Sequence, residues 1–461
     1  MPLTTMQRRS LAHLAQPGSD MEALAREAAP VIVRGDGVHV VDETGKRYIE
    51  ACAGQGAAAF GFSESRLADA ADRQMRALPY YHLFNRTHPP AIELAEALVR
   101  IAPGAAEDDP LTRVLLLSSG AEANDTALRL VWSYFDAIGQ PGRRKIISFD
   151  RSSHGSTIAT ASVSGLPWPR DGSDPIRMLC RHATTPHAYR ARRDDETEEA
   201  FAARMAAALE ALILTEGPET IAAFLAEPVQ IGGGVLIPPR SYFPRVEALL
   251  RRFGILIVMD EVLCGFGRTG PSWGCEAQGL RPDMLTCARA LSAAYQPIAA
   301  LLMREPIHDV LRAQNRRFGV FEGGSHGAHP VACAVAIEAL RIYEADGIAA
   351  HVARVSPTFL AALATLRTHP LVGDVRGIGL AAGVELVADQ AGRIPFDPAR
   401  RMGARVAASC QAVGLMVGAV EDCIVLTPPL IIRDAEIEEL TARFRRGLDA
   451  IWEEEVNAGA G

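Results

Sequence analysis

Short apolar runs alternate with amphipathic stretches through the middle of the chain. Six of the runs predict buried β-strands, because they are short, strongly apolar and bounded by turn residues. These runs are Val114–Leu117, Lys145–Phe149, Ala222–Ala226, Ile255–Met259, Met284–Cys287 and Ala299–Met303. Helical periodicity predicts helices over Glu122–Phe135, Ser241–Phe253 and Pro330–Glu344. Strands alternating with helices are typical of βαβ units, so the chain from about residue 110 to residue 305 is predicted to form a mostly parallel sheet.

The pattern differs at the two ends of the chain. Residues 374–387 and 415–426 predict strands, and residues 398–413 and 434–455 predict helices, which together indicate a smaller α+β unit. Near the N-terminus, Asp42–Ile49 has a glycine turn at its centre and predicts a β-hairpin. Residues 194–214 are rich in Ala, Glu and Arg and predict an amphipathic surface helix.

Composition narrows the class of protein. The chain has 461 residues, of which 48% are apolar, with 40 Gly and 29 Pro, as expected for a soluble α/β enzyme with a large core. The net charge is −8, and no basic cluster is interleaved with aromatic residues, so we expect no nucleic-acid partner. We find no apolar stretch of the roughly 18 to 20 residues that a membrane span needs, and no signal-peptide pattern at the N-terminus. We therefore expect no membrane partner and a cytoplasmic location.

The eight cysteines predict neither disulfides nor a metal site. They are scattered, with no C-x-x-C pair and no histidine at zinc-finger spacing, which is typical of reduced thiols in a cytosolic core. No histidine or carboxylate pair shows ligand spacing with supporting context, so we predict no metal. Cys264 and Cys287 fall within motifs described below. The sequence leaves open whether each is a reactive thiol or a buried structural thiol.

Several strings occur in a fixed order along the chain. They are Tyr81-His82 to Thr87-His-Pro-Pro90, Gly120-Ala-Glu-Ala-Asn-Asp125, Glu227-Pro228, Asp260-Glu-Val-Leu-Cys-Gly-Phe-Gly-Arg-Thr-Gly270, His329-Pro-Val-Ala-Cys333 and Pro428-Pro-Leu-Ile-Ile432. Together, from about residue 28 to residue 455, they resemble the class III aminotransferases, the ω-amino acid:pyruvate group of pyridoxal phosphate (PLP) enzymes of fold type I.

The resemblance implies an α/β fold of the PLP-dependent transferase type I. We expect a large domain with a mainly parallel seven-stranded sheet and a small α+β domain. The implied division is an N-terminal segment, 1–60, that joins the small domain, a large cofactor-binding domain, 61–330, and a C-terminal small domain, 331–461. The resemblance also implies a homodimer with active sites at the subunit interface and a small-molecule substrate.

The resemblance assigns roles to several positions. Gly120 and Ala121 correspond to the turn that binds the cofactor phosphate at a helix N-terminus, although the local sequence alone fits an ordinary glycine turn. Asp260 corresponds to the carboxylate that pairs with the pyridine nitrogen of the cofactor. The local sequence alone also fits a residue that only ends a strand. Glu227 corresponds to a residue near the cofactor or to a supporting carboxylate, and Ser325 to a threonine of the neighbouring subunit that contacts the phosphate. The role of Glu261 is open.

Besides the mild change from threonine to Ser325, three positions depart from the family pattern. The first is Arg289, which stands in Asp283-Met-Leu-Thr-Cys-Ala-Arg289 where the family has the lysine that forms a Schiff base with PLP. A guanidinium stays protonated and is a poor nucleophile, so it cannot form that bond. The second is Ser153, next to His154, where the family has an aromatic residue that stacks on the ring. The third is Gly418, aligned with an arginine that binds the substrate carboxylate.

No other lysine is placed to substitute for the missing one. The chain has two lysines, Lys46 and Lys145, among 45 arginines. Lys46 lies in the predicted N-terminal hairpin, and Lys145 opens a predicted strand, so neither is expected to reach the site. A genome-wide preference for arginine explains such a composition on the surface, but not at a position that the chemistry requires.

Arg289 is expected to be held by an acid. Two unit charges about 4 Å apart gain on the order of 4 kcal/mol at an effective dielectric of 20, before desolvation is subtracted. We predict that Arg289 forks onto Asp260 or onto a bound anion, where it occupies space that the PLP ring needs. Tyr80, Tyr81, His82 and Trp168 are further candidates for the pocket wall by analogy with the family.

These departures favour a diverged enzyme that does not transaminate through a Schiff base. We expect it to act independently of PLP, with no covalently bound cofactor, on a small molecule bearing a carboxylate, thioester or phosphate. Arg289 would hold that group, and His154 or a carboxylate would act as general acid or base. One alternative is an aminotransferase-like enzyme that uses PLP or pyridoxamine phosphate (PMP) noncovalently. Another is a non-catalytic homologue that acts as a partner or regulator. A lysine-to-arginine variant of an ordinary aminotransferase is disfavoured, because Ser153 and Gly418 also differ.

Overall fold

The computed structural model describes residues 3–18, 20–26, 28–105, 108–166, 179–318 and 323–459. In chain order, its strands are β1 Ile32–Asp36, β2 His39–Asp42, β3 Arg47–Glu50, β4 Leu111–Leu117, β5 Lys145–Phe149, β6 Cys180–Ala183, β7 Ile221–Ala226, β8 Leu256–Asp260, β9 Met284–Cys287, β10 Ala299–Arg304, β11 Val372–Ile378, β12 Ala381–Leu386, β13 Leu415–Met416, β14 Gly418–Val420 and β15 Cys423–Leu426.

Its α-helices are α1 Thr5–His13, α2 Met21–Arg26, α3 Ser65–Ala77, α4 Pro89–Ile101, α5 Gly120–Ala137, α6 Ile158–Val163, α7 Ala188–Ala191, α8 Glu198–Glu216, α9 Tyr242–Phe253, α10 Gly274–Gln278, α11 Glu305–Phe318, α12 Pro330–Ala345, α13 Ile348–Ala364, α14 Met402–Ala412 and α15 Asp434–Gly459. Short 3₁₀ helices occur at Pro218–Thr220, Arg289–Ser292, Thr365–Thr368 and Pro398–Arg400. Residues Ala53–Gly56 form a turn in which Gly54 and Gln55 have left-handed backbone angles.

The large sheet has seven strands in the order β4-β10-β9-β8-β7-β5-β6. The pairs β5–β6, β5–β7, β7–β8 and β8–β9 are parallel, and β10 runs antiparallel to both of its neighbours. The prediction of a mainly parallel seven-stranded sheet is therefore confirmed. The six strands predicted from apolar runs are all present, with ends that differ from the prediction by at most three residues.

Helices cover both faces of the large sheet. Side chains alternate across a strand, so Phe224 and Leu225 of β7 enter different cores. The core that contains Leu225 includes residues of α5 and α11, and the core that contains Phe224 includes residues of α4, α9 and α12. Burial on both faces explains why the central strands are almost continuously apolar.

Two four-stranded sheets contain the chain ends. One has the order β1-β2-β3-β13, and its β13 comes from the C-terminal part and pairs in parallel with β3, with Leu415 opposite Ile49. The other is antiparallel, with the order β11-β12-β15-β14. The pairing of β3 with β13 favours an N-terminal segment that joins the small domain, and the domain boundaries themselves stay a prediction.

One helical segment of the described residues, Ile348–Thr368, is long and apolar enough to cross a membrane by length and composition alone. The sequence expectation that no such stretch exists is therefore corrected. The buried residues of α13 recur every three or four positions, at Ile348, Val352, Val355 and Phe359. A buried stripe of this kind is typical of a helix packed on a protein core.

Candidate functional site

A cavity of about 950 Å³ lies at the carboxyl ends of the parallel strands. Ser153 and His154 follow β5, Glu227 follows β7, Asp260 ends β8, and Arg289 follows β9; all five line the cavity. Because β7, β8 and β9 are neighbours in the sheet, Glu227, Asp260 and Arg289 reach the cavity from adjacent strand ends. This edge is where parallel α/β sheets present their ligand groups. The structure thus brings together five of the polar side chains that the sequence analysis selected.

Helix α5 begins at the same cavity. The Ser119 hydroxyl oxygen accepts a hydrogen bond from the Glu122 N–H (3.1 Å), and Gly120 and Ala121 line the cavity. A Cβ on Gly120 would lie 2.9 Å from a methyl carbon of Val262, so the close approach of this turn requires glycine. The first N–H groups of a helix, together with its dipole, attract anions. The geometry fits the predicted phosphate-binding turn.

Asp260 is buried, with 3% of its surface exposed, and three donors hold its carboxylate. Oδ1 accepts from the Val262 N–H (3.0 Å), and Oδ2 accepts from Asn124 Nδ2 (2.8 Å) and from His154 Nδ1 (2.8 Å). A carboxylate has about four acceptor positions. Asp260 can therefore accept one more hydrogen bond from a group in the cavity.

His154 supports Asp260 in this arrangement. Its Nδ1 contacts Asp260, and its Nε2 lies 3.0 Å from the Ser148 hydroxyl oxygen. The Ser148 hydroxyl also lies 2.7 Å from that of Ser152, which donates to the Phe149 carbonyl (2.8 Å). Because both ring nitrogens are engaged, the ring fixes the orientation of Asp260 and is not free to act as a general acid or base.

Asn124 is a site residue that the sequence analysis did not select. Its Nδ2 donates to Asp260 and to the His154 carbonyl (2.9 Å), and its Oδ1 accepts from the Thr286 hydroxyl (2.7 Å). The signal that could have identified it is its place four residues after Gly120, since residues four apart share one face of a helix.

Glu227 has one engaged carboxyl oxygen and one free one. Oε1 accepts from the Ser153 N–H (3.0 Å), whereas Oε2 is buried without a hydrogen-bond partner. The residue is 2% exposed. Burial raises the pKa of Glu227 well above its usual value, the charge of Asp260 raises it further, and Arg289 acts in the opposite direction. A buried polar atom without a partner is costly, so Oε2 is suited to a ligand.

Arg289 is half-buried and is not forked onto Asp260. Its Nη1 donates to the backbone carbonyl of Gln55, and no carboxylate of the described residues forms an ion pair with it. The prediction of an Arg289–Asp260 fork is therefore wrong, because the left-handed turn at Gln55 offers a carbonyl oxygen within reach. Burial lowers the pKa of Arg289, and the charges of Asp260 and Glu227 oppose that effect.

The cavity wall opposite the sheet comes from the chain ends. Cys52 and Gly418 line it, and a Cβ on Gly418 would lie 3.4 Å from the Cys52 sulfur. The structure therefore places Gly418 in the cavity, where it offers no charged side chain. Arg401 also lines the cavity, but it forms an ion pair with Asp20.

Other candidates lie away from the cavity within this chain. Ser325 is exposed, and its carbonyl accepts from the Tyr80 hydroxyl (2.7 Å). Since its predicted role belongs to a second subunit, that role stays a prediction. Tyr80 and Tyr81 are both exposed. Neither they nor His82 lines the cavity. Trp168 lies outside the described residues.

Both lysines are remote from the cavity, as predicted. Lys46 donates to the carbonyls of Gln411 (3.0 Å) and Ala412 (2.8 Å). Lys145 forms an ion pair with Glu216 (2.9 Å). Neither lines the cavity.

The remaining open residues have structural roles. Glu261 accepts from the N–H groups of Gly274 (2.9 Å) and Cys275 (2.7 Å) at the start of α10. Cys264 and Cys287 are fully buried, and burial raises the pKa of both thiols. A buried thiol with a raised pKa is inert, which favours the structural interpretation of both cysteines.

One group of described residues has metal-ligand spacing, at the start of α11. Ligand atoms of Glu305, His308 and Asp309 lie within 4.8 Å of one another. Glu305 is already bound to Arg113 (2.7 Å), and Asp309 to Arg312 (2.9 Å). Exposed acidic groups are common without a metal, and the absence of a metal site stays a prediction.

Comparison with known proteins places this site in a family. The sequence profile described as "Aminotransferase class-III" matches residues 23–448. The chain belongs to the class III aminotransferases. Its fold is accordingly that of the PLP-dependent transferases of fold type I, as predicted.

Individual relatives agree with this assignment. The chain is 41% identical to a probable gamma-aminobutyrate transaminase 3, mitochondrial, of Oryza sativa subsp. indica, over 92% of this chain and 82% of that protein. It resembles the omega transaminase of Pseudomonas jessenii solved in complex with PMP, with a TM-score of 0.93, 40% identity and coverage of 97% and 98%. It also resembles the PMP-bound aminotransferase of Vibrio fluvialis, with a TM-score of 0.94, 34% identity and coverage of 98% and 100%.

These comparisons contradict the expectation of a PLP-independent enzyme without a cofactor. The three relatives named above are a probable gamma-aminobutyrate transaminase, an omega transaminase and an aminotransferase, and the last two were solved with PMP bound. The expectation failed because it took the lost lysine and the lost stacking residue as loss of the cofactor itself. A helix N-terminus and a buried carboxylate can bind such a cofactor without either residue. The alternative prediction, an aminotransferase-like enzyme that binds PLP or PMP, is better supported.

Proposed function

We propose that this chain is an amino-group-transferring enzyme that uses PLP or PMP without a covalent bond to the protein. The observation that carries the proposal is that Asp260, the turn at Gly120 and Arg289 line one cavity at the strand ends. The first two match the family's cofactor-binding positions, and Arg289 stands at the position of the family's lysine. The two PMP-bound relatives support the choice of cofactor. The remote positions of Lys46 and Lys145 support a noncovalent mode.

The donor set of the cavity fits the cofactor. Gly120 and Ala121 would hold the phosphate at the N-terminus of α5, where a Cβ on Gly120 would collide with Val262. Asp260 would face the pyridine nitrogen with its remaining acceptor position. When bound, PLP supplies an electron sink for bonds at the carbon that carries the amino group.

The protein's own contribution is orientation and burial. Asn124 and His154 hold Asp260 in one orientation, and the surrounding strands exclude water from its carboxylate. Ser153 presents a small side chain to the cavity in place of an aromatic ring, so a bound cofactor would be held mainly by its polar ends. Weaker retention of the cofactor is the expected consequence.

The substrate is proposed to be a small-molecule amine and its carbonyl counterpart, and the assembly a homodimer with sites at the interface. The names of the relatives support the reaction class. The cytoplasmic location rests on the sequence alone, since the rice relative is named as mitochondrial.

Cofactor binding tests the proposal directly. Purified protein is titrated with PMP, which cannot form a Schiff base with a protein amine, and heat release is recorded by calorimetry. We expect one saturable site per chain. Asp260→Asn should weaken binding by about 10-fold or more, because a hydrogen bond to a charged group contributes about 1.5–3 kcal/mol. Asp346→Asn, the same change at a carboxylate paired with Arg66, should leave binding unchanged.

A second measurement addresses the covalent bond. The PLP-loaded protein is treated with borohydride, digested and mapped by mass spectrometry. We expect no adduct at residue 289 in the natural chain and a stable adduct there in Arg289→Lys. Absence of PMP binding, or a cofactor fixed covalently at a cavity residue of the natural chain, would contradict the proposal.

A further inference from the structure

Proton transfer in the cavity needs a group other than Arg289. A guanidinium remains protonated near neutral pH and cannot accept a proton. The described residues that line the cavity include several other titratable or charged side chains: Asp20, Cys52, His154, Glu227, Asp260, Arg401 and Glu421.

Most of these groups are already engaged. Asp20 and Arg401 form an ion pair, and Glu421 pairs with Arg151 (2.7 Å). Asp260 accepts three hydrogen bonds, and both ring nitrogens of His154 are bonded. The remaining acceptor position of Asp260 is assigned to the pyridine nitrogen, and the other groups named here would have to break a contact to take up a proton.

The Cys52 thiol is also unsuited. Its sulfur faces the Val425 carbonyl (3.8 Å), and burial raises its pKa well above the usual value. A thiol in this condition keeps its proton and is a poor base.

Glu227 remains as the acid–base group of the cavity. Glu227 lines the cavity, its Oε2 is buried without a hydrogen-bond partner, and its Oε1 accepts from the Ser153 N–H (3.0 Å). The carboxyl lies at the end of β7, beside Asp260 at the end of β8. One oxygen is therefore held in place, while the other has no partner among the described residues.

The environment of Glu227 also suits proton exchange. Burial and the charge of Asp260 raise its pKa, while Arg289 limits the rise. A carboxylate whose pKa lies above its usual value is a stronger base than an ordinary carboxylate, which suits a group that accepts a proton and returns it.

We infer that Glu227 is the proton-transferring residue of this enzyme and that its Oε2 acts on the substrate carbon that carries the amino group. In the first step the C–H bond of that carbon breaks, its electron pair stays with the substrate–cofactor pair, and the proton goes to Oε2. In the second step Oε2 returns the proton to a carbon of the same pair, so no proton is consumed. This inference rests on the proposed function, because the electron pair needs the cofactor.

Exchange of the carbon-bound hydrogen with solvent deuterium tests the step. The PLP-loaded protein is incubated in D₂O with L-alanine or isopropylamine, and deuterium at the amine-bearing carbon is followed by NMR. We expect exchange in the natural chain and a loss of about 10²- to 10⁴-fold in Glu227→Gln, the range of general acid–base catalysis. Glu227→Asp should recover part of the rate.

Two controls separate proton transfer from binding and folding. Glu276→Gln, the same change at an exposed carboxyl that caps α10 outside the cavity, should leave exchange unchanged. The PMP dissociation constant of Glu227→Gln should stay within a few-fold of that of the natural chain. If Glu227→Gln loses exchange but still binds PMP, the defect lies in proton transfer.

Infrared spectroscopy gives a readout that does not depend on turnover. In a pH series, the difference spectrum between the natural chain and Glu227→Gln should show the carboxylate band of Glu227 giving way to the C=O band of its protonated form, and both bands should shift when PMP binds. Equal exchange rates in the natural chain and Glu227→Gln would overturn the inference, as would absence of exchange in the natural chain with both probes. Failure of the natural chain to bind PMP would instead refute the proposed function.

Discussion

At the scale of single residues, Asn124 connects three parts of the site. It donates to Asp260 and to the His154 carbonyl, and it accepts from Thr286. Removing its amide would leave the His154 carbonyl and the Thr286 hydroxyl without this partner and Asp260 with two of its three donors, at a cost of about 1–3 kcal/mol for each unsatisfied group. We expect Asn124→Ala to lower the free energy of unfolding by at least about 1 kcal/mol, measured by urea denaturation.

The same variant should also weaken PMP binding, because Asp260 loses one of its three donors. Asn457→Ala, at an exposed position of α15, serves as the matched control and should change neither quantity. Unchanged stability of Asn124→Ala would show that water replaces the lost hydrogen bonds.

Single residues also show how far the sequence could predict the site. Asp260 and Glu227 were identified through the family resemblance, and their positions at the ends of apolar strands agree with it, because strand ends meet at one edge of a parallel sheet. The contact of Arg289 with Gln55 was not predicted, since it depends on a left-handed turn far away in the chain. No local pattern encodes such a pair.

At the scale of elements, the start of α10 couples stability to pH. Burial raises the pKa of Glu261 from 4.5 to about 7, and its carboxyl accepts from two N–H groups of that helix. The folded protein therefore binds this proton more tightly than the unfolded chain does. The resulting stabilisation is complete below about pH 4.5 and is lost as the pH rises to about 7.

The pKa shift of Glu261 corresponds to about 3 kcal/mol between these two pH values. We expect the unfolding free energy of the natural chain to fall over this range more steeply than that of Glu261→Gln, with urea denaturation at both pH values as the measurement. Glu453→Gln, at an exposed carboxylate of α15, should keep the natural slope. Parallel curves for Glu261→Gln and the natural chain would contradict the assigned pKa.

Helices and strands were easier to predict from the sequence than contacts between residues far apart in the chain. Strands β7, β8 and β9 are buried on both faces, so their apolar runs were distinct in the sequence. Strand β6 was not among the predicted strands, because Cys180-Arg-His-Ala183 is short and half polar. The order of the strands in each sheet came only from the structure.

At the scale of the whole molecule, the predicted homodimer can be tested through Ser325. This residue is exposed and lies outside the cavity of its own chain. If it reaches the partner's phosphate turn, Ser325→Ala should weaken PMP binding by about 5-fold, the effect of one hydrogen bond. Light scattering should give twice the chain mass of 49.4 kDa.

Ser65→Ala, at the exposed start of α3, provides the control for this change and should bind PMP normally. A monomer that binds PMP with full affinity would contradict a site shared between subunits.

The pairing of β3 with β13 has a consequence for the order of events during synthesis. Ile49 emerges early from the ribosome, but its partner Leu415 is made only near the end of translation. The sheet that adjoins the Gln55 turn cannot be completed before then, although the strands from β4 to β10 are already available to pair. We therefore expect nascent chains that lack residues beyond about 400 to form the large sheet and yet leave the cavity open on the side of Cys52.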